Sequence, residues 1–199
     1  MGMFNSSWFR RHDDAPPSTA MRGLAPMLAD VRKRESPPPV QATGSDPVWV
    51  IYASETGVAE HLAHDTCHVL QDAGVASRLL PFDELELGKL QAIGHALFVA
   101  STCYDGDPPD MAEEFCRKHM SEPTRLPQLR YGLLALGDRY YDEFCGFGRQ
   151  LHQWLQASGA QTLFEAIEMD DEDEAAARCW NDHLRSLIQH CLPDGSPAA

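Results

Sequence analysis

Val48-Trp49-Val50-Ile51-Tyr52-Ala53 runs six apolar residues without a charge, rich in β-branched and aromatic types, and predicts a strand buried on both faces. Over residues 59–70 the period becomes helical, with Leu62, Thr66 and Val69 on one side, and Ala73-Gly74 reads as the helix end. Residues 76–82 predict a second strand, 83–91 a short helical connection, and 95–100 a third buried strand. A helix is expected over 110–120, a fourth strand over 130–136, and a helix over 146–158 carrying Phe147, Leu151, Trp154 and Leu155 on one side. Residues 161–167 predict a fifth strand running directly into a last helix over 171–190, whose acidic first turn suits the helix dipole. Strands alternating with helices imply right-handed crossovers and a parallel sheet with helices on both faces, the α/β class.

Residues 1–46 pattern differently. Pro16-Pro17 and Pro37-Pro38-Pro39, with few apolar anchors, predict a disordered arm. A stretch over 20–35 offers only a transient helix. The expected organisation is therefore a proline-rich arm at 1–46, one folded domain at 47–192 and a short tail at 193–199.

Charge sharpens this division. The chain carries 16 basic and 30 acidic residues, a formal net charge of −14. The arm holds +1 and residues 47–199 hold −15, so the acidic field belongs to the domain. Such a field argues against nucleic acid and anionic membranes and suits docking on basic partners. None of the six cysteines lies in a Cys-x-x-Cys pair, so zinc ligation is not expected, and reduced thiols in a cytoplasmic setting are. No apolar run approaches the ~20 residues of a membrane span.

In an open α/β sheet, ligands bind beyond the carboxyl ends of the strands, where strand order reverses. The loops after strands one, three and four carry the informative residues. Ser54-Glu55-Thr56-Gly57-Val58-Ala59-Glu60 combines hydroxyls, a glycine and a helix start, which together aim donors at one point and suit a phosphate. Neither the triphosphate-loop pattern nor Gly-x-Gly-x-x-Gly is present, so a single monophosphate without metal is the natural guest. The alternative is an ordinary turn in which Ser54 and Thr56 cap the helix. The other loops are Ser101-Thr102-Cys103-Tyr104-Asp105-Gly106-Asp107-Pro108-Pro109 and Leu136-Gly137-Asp138-Arg139-Tyr140-Tyr141-Asp142-Glu143-Phe144-Cys145. They supply aromatic rings, glycines and acids, fit for a flat ring whose phosphate tail reaches the first loop. Tyr140 and Phe147 read as packing residues, and Cys103 and Cys145 as small apolar filling.

These three motifs, in order and at this spacing, resemble the flavodoxin family, particularly the FMN domains of sulfite reductase flavoprotein and cytochrome P450 reductase. The resemblance covers roughly seven-tenths of the chain. It implies a three-layer flavodoxin-like sandwich of the short-chain type, with a five-stranded parallel sheet in the order 2-1-3-4-5 and FMN as cofactor. Ser54, Glu55, Thr56, Gly57, Val58 and Ala59 would wrap the phosphate. Ser101, Thr102, Cys103, Tyr104, Asp105 and Gly106 would cover one side of the isoalloxazine. Leu136, Gly137, Asp138, Tyr141, Phe144 and Cys145 would line the other, with Tyr141 stacking. The implied function is electron transfer between redox proteins with basic faces: an NADPH-dependent flavoprotein reductase as donor, a haem or iron–sulfur protein as acceptor. A domain of a larger reductase and a cofactor-free interaction module are the alternatives. Two positions depart from the pattern: Val58 where a hydroxyl or amide is common, and Tyr104 where the family has glycine. Because tyrosine tolerates positive φ poorly, Cys103-Tyr104 is expected to take a different local path.

Overall fold

The central strands hand alternate side chains to two separate cores, which is why those segments are apolar almost throughout. Val48, Val50 and Tyr52 of β1 (Val48–Ala53) face one core, and Ile51 and Ala53 face the other. The computed structural model describes residues 46–170 and 173–191. The expectations for the arm, its helix over 20–35 and the tail lie outside the described residues.

After β1 come α1 (Val58–Asp72), β2 (Ser77–Pro81), a 3-10 turn at Phe82–Glu84 and α2 (Leu87–Ala92). β3 (His95–Ser101), α3 (Asp110–His119), β4 (Arg130–Leu136) and α4 (Gly146–Ala157) follow. The chain then forms β5 (Gln161–Thr162), β6 (Ile167–Met169) and α5 (Glu174–Cys191). All pairings between strands among the described residues are parallel, and the order β2-β1-β3-β4-β5 is the one expected, with β6 also paired to β4.

Helices α1 and α5 cover one face through Leu62, Ala63, Val69, Trp180 and Leu184. Helices α2, α3 and α4 cover the other through Leu90, Phe115, Phe147, Leu151 and Trp154. The stripe Leu62, Thr66 and Val69 is buried as its spacing predicts. Thr66 Oγ1 accepts the indole N–H of Trp180 at 3.1 Å, which satisfies both groups between α1 and α5. Asn181 beside it is 3 % exposed, yet neither its Nδ2 nor its Oδ1 has a partner among the described residues.

The fifth strand is not continuous. Tyr131 pairs with Thr162, but Leu134 pairs with Ile167, so three steps along β4 are matched by five on the edge. Phe164, in the bulge, explains the break. Its ring turns over Gly132, where even a built Cβ would approach Phe164 Cζ to 2.2 Å. The ring stacks on His183 at 4.2 Å and meets Trp180 edge-on at 5.7 Å. Burying an aromatic ring against α5 competes with ladder hydrogen bonds at a sheet edge, and a bulge resolves the conflict. The last helix starts at Glu174, later than the expected 171, because Asp173 caps it: its Oδ1 accepts the Ala175 and Ala176 amides, each at 3.0 Å.

Candidate functional site

Three loops leave the carboxyl ends of β1, β3 and β4, and the structure brings them together. The first is tied twice to the start of α3, just past the second. Glu55 Oε2 accepts the Asp110 amide at 3.3 Å, and the Ser54 amide points at Met111 Sδ at 3.0 Å. The second meets the third where Gly106 lies against Glu143 and Gly146; a Cβ on Gly146 would come within 2.6 Å of Gly106 Cα. Gln150 Nε2 donates to Gly106 O at 3.2 Å, and the Thr102 amide to Leu136 O at 2.9 Å. Only residues without a Cβ allow this approach.

In the first loop, Gly57 adopts φ +87° just before α1, and no side chain caps the helix. Ser54 Oγ accepts the Gly57 amide at 3.0 Å instead, so the reading of Ser54 and Thr56 as helix caps does not hold. The leading amides of a helix lack intrahelical acceptors, and here they sit beside the exposed Thr56 and half-buried Val58 and Ser54. Ala59 is buried in the core below.

The second loop is a tight turn. Cys103 and Asp107 exchange backbone hydrogen bonds, both 2.9 Å, and the Gly106 amide reaches Cys103 O at 3.2 Å. Tyr104 does not take the alternative path expected of it: it sits in the left-handed region at φ +46° with its ring 69 % exposed. The turn's paired hydrogen bonds override the residue's preference, at a cost of ~1–2 kcal/mol. Ser101 ends β3, half-buried; Asp105 is exposed; Thr102 Oγ1 is buried without a partner. Cys103 is buried, and burial together with the Glu55 carboxylate pushes its thiol up to about 12, so it stays protonated.

In the third loop, Leu136 is buried at the end of β4 and the Gly137 amide bonds Met169 O at 3.1 Å. Asp138 turns the chain by accepting the Tyr140 amide on Oδ1 at 2.8 Å and the Tyr141 amide on its carbonyl at 3.1 Å. That turn leaves Tyr140 98 % exposed, which corrects its reading as a packing residue; Phe147 is fully buried as expected. Tyr141 and Phe144 are half-buried, with the Arg139 guanidinium 5.1 Å from the Phe144 ring centroid. Arg139 also reaches Asp170 and Asp173 at 3.4 and 3.6 Å, fastening the loop to the start of α5. Cys145, at φ +55°, precedes α4 and donates its S–H to Ala135 O at 3.3 Å; burial pushes its thiol to about 12.

Spacing had not shown the supports beneath these loops. Met111, Gln150 and Asp170 lie outside the motifs, and only the fold brings them under the turns. Elsewhere, cavities of about 600 and 350 Å³ open at the amino ends of the strands and beside α5, away from the three loops.

A doubly wound parallel sheet whose three C-terminal loops pack together, with an uncapped helix start in the first and half-buried aromatics in the third, has the arrangement of a nucleotide-type α/β binding domain. The flavodoxin family pattern matches residues 50–180. The sulfite reductase [NADPH] flavoprotein alpha-component of Vibrio cholerae is 34% identical over 151 residues, covering 74% of this chain and 24% of that one. Its Bacillus subtilis counterpart is 32% identical over 156 residues, covering 77% and 26%. Among solved structures, a Streptococcus pneumoniae flavodoxin superposes with a TM-score of 0.62 at 21% identity, covering 73% of this chain and 99% of its own. A short-chain flavodoxin associated with a PDU bacterial microcompartment gives 0.63 at 22% identity, covering 74% and 100%. The chain belongs to the flavodoxin family, and the matched residues form a flavodoxin-type FMN domain. It spans about a quarter of the length of the curated relatives it matches.

The residues present fit that cofactor. The uncapped α1 start suits a phosphate, and the orphaned Thr102 Oγ1 suits the polar edge of a ring. No helix among the described residues is long and apolar enough to cross a membrane.

Proposed function

We propose that this domain holds FMN in the three-loop crevice and relays electrons between a reductase and an acceptor protein. The observation that carries the reading is the α1 start without a side-chain cap, on a loop tied to the start of α3 just past the second loop, which in turn packs against the third. Backbone amides of Glu55, Thr56, Val58 and Ala59, with the Ser54 and Thr56 hydroxyls, hold the phosphate, and Gly57 turns the chain around it. Residues Ser101 to Gly106 cover one side of the ring; Leu136, Gly137, Asp138, Tyr141, Phe144 and Cys145 line the other, with Tyr141 stacking. When bound, FMN supplies the one- and two-electron chemistry. The protein binds and orients, and its buried, protonated thiols stay out of the chemistry.

Asp105, Asp107, Asp138, Asp142 and Glu143 stand exposed around the crevice. Their charge disfavours added electrons and steers basic-faced partners to the rim. An NADPH-dependent flavoprotein reductase as donor and a haem or iron–sulfur protein as acceptor fit that charge. The identity of the relatives favours a second, compatible reading, the FMN part of a sulfite-reductase-like assembly. The test is direct: purified protein is expected to be yellow and to release flavin on acid treatment. Colourless protein that leaves the fluorescence of added FMN unquenched would favour a cofactor-free interaction module instead.

A further inference from the structure

Helix α3 starts straight after Pro108-Pro109, with Pro109 at its N-cap position and no cap from its own side chains. Proline has no side-chain acceptor to offer, so the first amides of the helix look elsewhere. The acceptor comes from a different loop. Glu55 Oε2 accepts the Asp110 amide at 3.3 Å and faces the Cys103 thiol at 3.7 Å. Because that thiol is protonated, it can serve as a donor at any neutral pH. Beside this tie, the Ser54 amide meets Met111 Sδ at 3.0 Å. Two consecutive residues of the first loop are thus pinned to two consecutive residues of α3.

Glu55 is otherwise out of place. It puts a negative charge in a loop furnished for an anion. The amide end of α3 draws its carboxylate toward the second loop, where the helix dipole favours it. We propose that Glu55 is a positioning residue that couples the phosphate site on the first loop to the ring-covering second loop. The coupling rests on the FMN reading above. Phosphate ordering the first loop fixes Glu55, and Glu55 fixes Cys103, which closes the turn through its two hydrogen bonds with Asp107. The effect is reciprocal: filling either half strengthens the other.

The test uses FMN-free full-length chain with two separate ligands, inorganic phosphate and riboflavin, which lacks the phosphate. In the unmodified protein, phosphate is expected to tighten riboflavin at least about fivefold and to slow hydrogen exchange at the Asp110 amide. Glu55→Ala should abolish both effects and speed Asp110 exchange even without ligand. Glu55→Gln should rescue them, since its Oε1 still accepts the amide, and should bind phosphate alone more tightly because a negative charge is gone. Met111→Leu, which removes the second tie at nearly constant volume, should lower the coupling while keeping the fold. Coupling that survives in Glu55→Ala, or that is lost equally in Glu55→Gln, overturns the proposal. Riboflavin and phosphate binding independently to the unmodified chain overturns it while leaving FMN binding intact. An unmodified chain that binds neither FMN nor riboflavin overturns both.

Discussion

Asn181→Leu is expected to stabilise the domain. The side chain lies 3 % exposed on the inner stripe of α5, near Ala177 and Leu184, with its amide nitrogen and oxygen both buried and unpartnered among the described residues. Each buried polar atom without a partner costs ~1–3 kcal/mol relative to its hydrated state. Leucine has the same branching and number of side-chain heavy atoms, is somewhat larger and has no polar group, so the gain is about 2 kcal/mol after allowing for imperfect fit. For a domain of this size that raises the melting temperature by roughly 4–8 °C. Asn181→Ala should gain less, because it trades the polar penalty for a cavity. Asn181→Asp should be the worst of the three, since it buries an uncompensated charge or forces protonation. Urea titration of the FMN-free protein, followed by far-ultraviolet circular dichroism, gives the three free energies on one scale. A leucine variant less stable than the parent would refute the reasoning, since it would mean that Asn181 makes hydrogen bonds worth more than the apolar packing that replaces them.

Gly146→Ala forces a Cβ to within 2.6 Å of the Gly106 backbone, so the second and third loops must separate; FMN affinity should fall at least about tenfold, or ~1.4 kcal/mol, as read by fluorescence quenching. Tyr104→Gly relieves the strain at φ +46° but loosens the unfolded chain, so folding stability should rise by no more than about 1 kcal/mol while the turn is kept; a loss above ~2 kcal/mol on denaturant titration would contradict the strain assignment. Acid should destabilise the fold in two stages. Burial lowers the pKa of His95 and His152 from 6.5, so their contribution is complete above that pH and is lost as pH falls through their lowered folded values. The Arg149 guanidinium, 2.5 and 2.8 Å from the Glu168 oxygens, lowers that carboxyl from 4.5, so its contribution is lost only below that. A melting temperature flat from pH 7 down to pH 4 would contradict the histidine assignment, and one flat from there down to pH 2 the assignment for Glu168. Arg149→Ala should remove the second stage at a cost of ~1 kcal/mol or less, because the pair is partly exposed.

The order of strands and helices was determined locally. Uncharged runs such as 95–100 and 131–136 can bury both faces only inside a parallel sheet, and the helical stripes on α1 and α4 need a sheet to cover. The three loops were legible for the same reason: glycine, proline and hydroxyl punctuation states its own backbone requirement. What the tertiary structure decided concerns contacts between residues far apart in the chain. Phe164 breaks the edge strand because His183, Trp180 and the bare Gly132 surround it, and no pattern within 161–167 contains them. Tyr104 is held at positive φ by the closed Cys103–Asp107 turn, against its intrinsic preference. Tyr140 faces solvent because Asp138 turns the backbone outward, although an aromatic ring by itself suggests burial. Glu55 caps a helix that begins 55 residues later. Local sequence sets what a segment can form; which of several near-equal conformations it adopts depends on partners that only folding brings within reach.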